Sequence, residues 1–380
     1  MFYGSSTPKA DMGCKKTHQK NPTVTASITI STNTIFISCG AFMFFESKLF
    51  RLWLAVAMIA WISLFISFND LQFLADHWFY PAIMVLGAFV AGVTPEGGGV
   101  VAFPVLNIFI GIERTMARDF SLMIQSIGMT SASIFILTHS SNNLRAYKPM
   151  LWLIPIAFVG FVLGMVILQT IPVVIIQALF LSLIATFAVI YYLSDHRGSE
   201  ETLKLTKRYD HAITILILLL GGMCASLFGT GADIILYTLL VTRFGMKEKI
   251  ATHMSIMMMA GISILGYAYR HFVDAGLTQY QVQTWLCAFP VVLFIAPLGA
   301  YVLKHLNKEL MLKFICVLNI GQMLYFNFYK PSLDKFIWSA IFTILLSIIF
   351  YTVMRRLVNR RKLEQLQPAE NNVEASTTKP

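Results

Sequence analysis

Charge is what this chain has least of. Asp, Glu, Lys and Arg make up 13% of its 380 residues against 57% hydrophobic ones, and the mean hydropathy is +0.68. A soluble domain of that size covers its surface with far more charge, so the composition excludes one and indicates a polytopic membrane protein. The charge that is present leans positive, +10 net, but it collects at segment ends and in the tails, with no basic stripe interleaved with aromatics. That excludes nucleic-acid recognition and leaves the cations as determinants of membrane topology. Cysteine is scarce too: Cys14, Cys39, Cys224, Cys287 and Cys316 stand apart without CxxC or Cys/His spacing, so neither a disulfide framework nor a metal site is indicated. Walker, HExxH, nucleophile-elbow and Rossmann motifs are missing as well. Their absence removes ATP-driven pumping and the commoner hydrolases, leaves no cofactor and no catalytic residue to name, and makes gradients the energy source.

Long hydrophobic runs, by contrast, are plentiful. Full-length spans are expected at about 50–68, 119–138, 150–169, 172–193, 250–269, 283–303, 310–328 and 335–354, which makes eight crossings. Residues 1–27 are polar and expected to be disordered. Ile28 to Phe45 is apolar but rich in Ser and Thr, and reads as an interfacial or signal-like segment. Two further runs, 80–111 and 211–245, are interrupted. In the first, Ala82 to Val93 and Val100 to Gly111 are each little more than half the roughly 20 residues a helix needs to cross, and Thr94-Pro95-Glu96-Gly97-Gly98-Gly99 separates them. Backbone of that kind cannot face lipid, so it is buried in protein or lines a polar cavity.

The interrupted stretch occurs twice. A shift of 134 residues lays Gly87 on Gly221, Gly97 on Gly231, Leu106 on Leu240, Gly111 on Gly245, Ala117 on Ala251, Ser121 on Ser255 and Met123 on Met257. Two copies of a broken segment in corresponding halves point to a transporter binding site. If each is a re-entrant hairpin, the lysines and arginines fall mainly on the cytoplasmic side, with Arg114, Arg118, Arg270, Lys330 and Lys335 outside. If each crosses instead, the loops at 112–118, 139–149 and 194–210 change sides and the bias weakens, so re-entry is preferred. A hairpin plus three crossings is an odd unit, which inverts the second copy. The expected fold is an all-α polytopic membrane protein with about eight crossings plus two re-entrant broken-helix hairpins in two inverted-topology repeats. Its parts are a tail at 1–48, a first helix within 49–79, repeats at 80–193 and 210–329 joined by a cytoplasmic linker at 194–209, a last helix within 330–356, and a disordered tail at 357–380. Both termini are expected to be cytoplasmic, and the hairpin tips to meet near the midplane.

A half-helix that starts just after Gly99 presents unpaired N–H groups and a positive dipole end, an anion site that needs no cationic side chain. The half-helix after Gly231 offers the same. Glycines let a small oxyanion approach the backbone closely; equally, they let helices pack closely. Gly97-Gly98-Gly99 with Pro104 and Leu106, and Gly229-Thr230-Gly231 in the second copy, resemble the sulfite exporter TauE/SafE family of membrane permeases over roughly residues 80–330. The resemblance implies sulfite, a sulfonate or a related organosulfur anion as substrate and the inner membrane as location. The chain departs from that pattern at Thr94-Pro95-Glu96, at Ala232-Asp233, and at Thr238, which stands where the first copy has Pro104.

The expected substrate-binding residues are Thr94, Glu96, Gly97, Gly98, Gly99, Ser121, Gln125, Gly229, Thr230, Gly231 and Ser255. Ser121 and Gln125 share a helix face and, with the repeat-equivalent Ser255, are placed to donate hydrogen bonds to a sulfonate oxygen; interhelical hydrogen bonding is the plainer role for the serines. Glu96 and Asp233 are the deepest carboxylates. An ionised carboxylate in a dehydrated cavity is costly, so the two are the candidate proton-coupling groups. The alternative is that Asp233 caps its half-helix and Glu96 accepts N–H groups of its own turn. His253 is expected near the membrane interface and Arg118 as a paired charge at a helix end; Asn319 and Gln322 stay open. The implied partners are a small-molecule anion, the lipid bilayer and a coupling proton or cation. Two rivals stand beside this reading: a cation or neutral-solute carrier built on Glu96 and Asp233, and an intramembrane enzyme.

Overall fold

The computed structural model describes residues 47–139, 144–193, 198–205, 208–274, 276–303, 308–352 and 355. The N-terminal tail with Ile28 to Phe45, residues 194–197 of the linker and the C-terminal tail from 356 lie outside the described residues.

Among the described residues the regular structure is helical. In chain order the helices are α1 (Lys48–Phe68), α2 (Phe79–Val93), α3 (Gly99–Pro104), α4 (Arg114–His139), α5 (Met150–Ile167), α6 (Val173–Leu193), α7 (Arg208–Phe228), α8 (Ala232–Thr242), α9 (Glu248–Phe272), α10 (Gln279–Val302) and α11 (Lys308–Phe328), followed by α12 (Leu333–Thr352). Short helical turns precede α2 at Leu71–Asp76 and α5 at Leu144–Tyr147. Pro104 has no N–H to continue the ladder, and α3 widens after it into a π-helical turn over Val105–Phe109.

Among the described residues, eight helices are long and apolar enough to cross a bilayer: α1, α4, α5 with its preceding turn, α6, α7, α9, α10 and α12. Their number equals the eight expected, but the set differs: α7 joins as one unbroken helix of 21 residues, where the hydropathy pattern marks only the first arm of an interrupted segment, and α11, which covers the expected crossing at 310–328, is not among them. Its polar opening, Arg208-Tyr209-Asp210-His211, stays helical because Asp210 is buried and paired. Its Oδ1 accepts from Arg243 Nη2 at 2.5 Å, across from the end of α8. The helices before the two breaks therefore differ in length, 15 residues in α2 and 21 in α7. The apolar helices after the breaks are Gly99–Ile110 and Ala232–Thr242.

The helices pack in a pattern that survives exchange of the two halves. α2 lies on α10 and α7 on α5; α4 lies on α10 and α9 on α5; α3 touches α2 and α4 as α8 touches α7 and α9; α4 meets α9, and α6 meets α11. Small residues carry the closest of these contacts. A β-carbon on Gly222 would overlap the carbonyl oxygen of Ala157, and one on Gly92 would overlap that of Ala296. In a bilayer, where apolar surface gains little by leaving lipid, such close backbone approach is what holds helices together. α1 is tied to α10 by Trp61 Nε1, which donates to the Leu286 carbonyl at 2.8 Å. Both α1 and α12 present exposed Leu and Ile side chains along their length, as lipid-facing helices do. The described part of the linker docks on the α8–α9 turn, where Glu200 N–H donates to Gly245 O at 3.0 Å and Lys247 N–H to Glu200 O at 2.8 Å.

Candidate functional site

The first break begins where Thr94 leaves the helix in an extended conformation while its N–H still reaches back to Val90 O. Thr94 Oγ1 then accepts from Glu96 N–H at 3.2 Å, a local turn of the kind hydroxyl side chains favour. Gly97 follows with φ +66°, a left-handed value that any side chain would strain, and Gly98 starts α3 without a side-chain cap. The second break is built differently. Gly229, at φ +74°, ends α7 as a left-handed cap, and Gly231 starts α8 with φ +110°. Asp233 closes that end from within, its Oδ1 accepting from both Gly231 and Ile234 N–H at 3.0 Å.

The two breaks touch. Thr230 Oγ1 lies 3.4 Å from Glu96 O and 3.4 Å from Asp233 Oδ2. Ser121 Oγ on α4 donates to Gly229 O at 3.2 Å, and Ser255 Oγ on α9 donates to Asp233 O at 2.6 Å and lies 3.3 Å from Pro95 O. Gln125, one turn after Ser121, donates through Nε2 to Gly229 O at 2.7 Å and turns its second hydrogen toward Ser121, whose Oγ and O lie at 2.9 and 3.1 Å. Thr94, Glu96, Ser121, Gln125, Thr230, Asp233 and Ser255 are all 1% exposed or less. The glycines make the room: a β-carbon on Gly99 would collide with Ser121 Oγ, and one on Gly98 would press on Gly87 O.

Some of the buried contacts are related in pairs by the same 134-residue shift as the sequence repeat. Ser121 to Gly229 becomes, on adding and subtracting that shift, Ser255 to Pro95. Asp119 bound by Gln281 at 3.0 Å becomes His253 bound to Tyr147 at 2.8 Å. Glu96 and Thr230, equivalent to each other, meet at the centre.

Glu96 and Asp233 part company in their surroundings. The Glu96 carboxylate turns away from its own turn and toward α11, where Asn319 Nδ2 donates to both its oxygens at 2.9 and 3.1 Å and to Ile184 O. The alternative in which Glu96 accepts N–H groups of its own turn is therefore not what the fold adopts. For Asp233 the capping alternative is met in full, since its carboxylate fills the amide end of α8. The start of α3 has no such occupant.

The fold brings Gly97, Gly99, Ser121, Gln125, Gly229, Thr230 and Ser255 together at this contact, while Thr94 bonds within its own turn, Gly98 packs on Gly87, Gly231 bonds Asp233 and the Glu96 carboxylate faces Asn319. His253 is buried, 3% exposed, with its Nδ1 2.8 Å from Tyr147 Oη. Arg118 is a paired charge as expected, but fully enclosed, with Asp119 at 2.8 Å and Gln169 at 2.7 Å. Arg270 from α9 grips the same Asp119 through three hydrogen bonds. The partnerships of Asn319, Arg270, Gln281 and Tyr147 were not readable from the chain, because each lies on a helix distant in sequence and none belongs to a motif.

One family model, described as Sulfite exporter TauE/SafE, matches residues 79–326, from the first residue of α2 to within α11. No curated protein and no solved structure is significantly similar to the chain. The matched region covers both breaks, both sets of contacts that close around them and well over half of the sequence, and the chain belongs to the sulfite exporter TauE/SafE family of membrane permeases.

Proposed function

We propose that this permease carries a small oxyanion, such as sulfite, a sulfonate or a related organosulfur compound, across the cell's inner or plasma membrane, by facilitated or gradient-driven transport. The observation that carries the reading is the contact of two buried glycine breaks, one of which leaves the amide end of α3 without a capping side chain. Amides at such an end attract negative charge through their unpaired N–H groups and the helix dipole. Thr94, Glu96 and Gly97 to Gly99, with Ser121 and Gln125 behind them, form the first wall of the site; Gly229 to Gly231 and Ser255 form the second. Residues 80–193 and 210–329 act as inverted-topology repeats whose hairpins enter from opposite sides, with both termini in the cytoplasm. The exchange of contacts on a 134-residue shift supports that arrangement, and broken helices meeting between repeats are the usual setting for alternating access. Glu96 is the group whose protonation accompanies the anion, since a carboxylate held only by Asn319 inside the protein is costly to keep charged.

Purified protein in proteoliposomes, offered sulfite, taurine-like sulfonates, sulfate and carboxylates with and without a pH gradient, is expected to move the organosulfur anions and to respond to the gradient. Glu96→Gln is expected to keep the anion selectivity and lose the response to pH. Transport of none of the anions, with uptake of cations or neutral solutes instead, would remove the reading. An unchanged pH response in Glu96→Gln would remove the coupling role alone.

A further inference from the structure

At the point where the two breaks meet, oxygen atoms that accept hydrogen bonds outnumber the hydrogens available to them. The Gln125 amide is oriented by its neighbours. Its Nε2 faces Gly229 O, Ser121 O and Ser121 Oγ, all acceptors, so Oε1 must face the other way. On that side it has no hydrogen-bond partner although Gln125 is 1% exposed. Oε1 points at Gly97, and so do Asp233 Oδ2 and Thr230 Oγ1: a β-carbon on Gly97 would lie within 3.1 Å of all three. Glu96 O is the fourth oxygen of the group, 3.4 Å from Thr230 Oγ1. Thr230 has one hydroxyl hydrogen, which cannot serve both Glu96 O and Asp233 Oδ2. Burial makes each unmet acceptor expensive.

We propose that Asp233 Oδ2, Gln125 Oε1, Thr230 Oγ1 and the Glu96 carbonyl form a binding site for one alkali-metal cation. Hard monovalent cations take oxygen ligands, and one carboxylate among neutral oxygens matches a single positive charge. A proton on Asp233 Oδ2 given to Gln125 Oε1, with the Thr230 hydrogen on Glu96 O, would pair the same four oxygens, whereas a cation engages all four directly, so the response to salt at fixed pH separates the two. Broken helices supply such sites from the carbonyls of their unwound segments, with the anion on the amide side. Here the Glu96 carbonyl and the amide end of α3 belong to the same turn. Asp233 Oδ1 already neutralises the positive end of α8, so the cation is not set against an open helix N-terminus. The site stands on these oxygens alone; its use as the coupling ion rests on the permease reading above.

The test is the thermal midpoint of the full-length protein in detergent, at fixed pH and ionic strength, in chloride salts of Na+, K+, Li+ or choline. A ligand that binds the folded state raises the midpoint with its concentration. A saturable rise with an alkali cation, Na+ expected to be largest, that is absent in choline supports the site. Asp233→Asn is expected to raise the half-saturating concentration by about tenfold or more, a change on the order of 1.4 kcal/mol, and Thr230→Val and Gln125→Leu by several-fold. Glu96→Gln is expected to keep the response, because that side chain faces Asn319. If Asp233→Asn does not fold, Thr230→Val and Gln125→Leu decide. Equal midpoints in all four salts, a midpoint that answers to pH and to no cation, or a cation response undiminished in Thr230→Val and Gln125→Leu would each overturn the proposal. A cation response in protein that moves no anion would sink the permease reading and leave the site. Anion transport with no cation response would do the reverse.

Discussion

Asp119 shows how much a single side chain can organise here. It is 1% exposed, yet its two oxygens accept from Arg118, Arg270 and Gln281, which come from α4, α9 and α10. A buried carboxylate with that many donors is stable only while the donors remain. Asp119→Ala is expected to leave buried Arg118 without a carboxylate, held by Gln169, and Arg270 with Asp274 as its remaining acid, and to cost about 3–5 kcal/mol, read as a large fall in the thermal midpoint. Asp119→Leu combined with Arg270→Met is expected to recover part of the loss, since an apolar pair leaves a smaller buried charge. A double variant no more stable than Asp119→Ala would show that the cluster is not held by its charges. None of this was legible in the chain beyond the Arg118-Asp119 dipeptide, because hydropathy treats both as a helix end. Arg270 and Gln281 reach Asp119 from more than 150 positions away.

Between helices, the decisive quantity is backbone separation. The contacts of α2 on α10 and of α7 on α5 depend on glycine, and Gly92 and Gly222 sit where a methyl group has no space. Gly92→Ala and Gly222→Ala are each expected to push the helix pair apart and cost about 1–3 kcal/mol through overpacking, again measured as a thermal shift. Gly111, whose β-carbon position is open, serves as the control among the same repeat's glycines, losing only what its φ of +82° imposes. Gly92 and Gly222 themselves drew no attention in the sequence, which signalled only the glycines at the breaks. Glycines inside an apolar run look alike whether they face a neighbouring helix or lipid.

At the scale of the whole molecule, the proposed inverted arrangement is one that labelling can read. With inverted repeats, the returning arm of the first break emerges outside near Ile110 and that of the second emerges inside near Lys249, both exposed positions. On a cysteine-free background, Ile110→Cys is expected to react with an impermeant maleimide from the outside and Lys249→Cys from the cytoplasm. Labelling of both from one side would end the inverted-repeat proposal while leaving the contact between the breaks as described. Seven of the eight spans, the two interruptions and the 134-residue shift were visible beforehand, because each is a local or periodic property of the chain; that α7 is itself long enough to cross was not.

What the sequence determined by itself was the solvent of this protein and the places where its helices must stop. Composition decides between water and lipid, and a run of Thr, Pro and glycines cannot continue a helix anywhere. Only the tertiary structure decided what each buried polar group faces. Glu96 and Asp233 look alike in the chain, each beside glycines in a broken helix, but one turns to Asn319 on α11 and the other folds back on its own helix end. The reason is physical: when lipid and protein core are both apolar, a helix shows no polar face to mark its inside, and the direction of a carboxylate is set by whichever donor the packing brings within 3 Å or so.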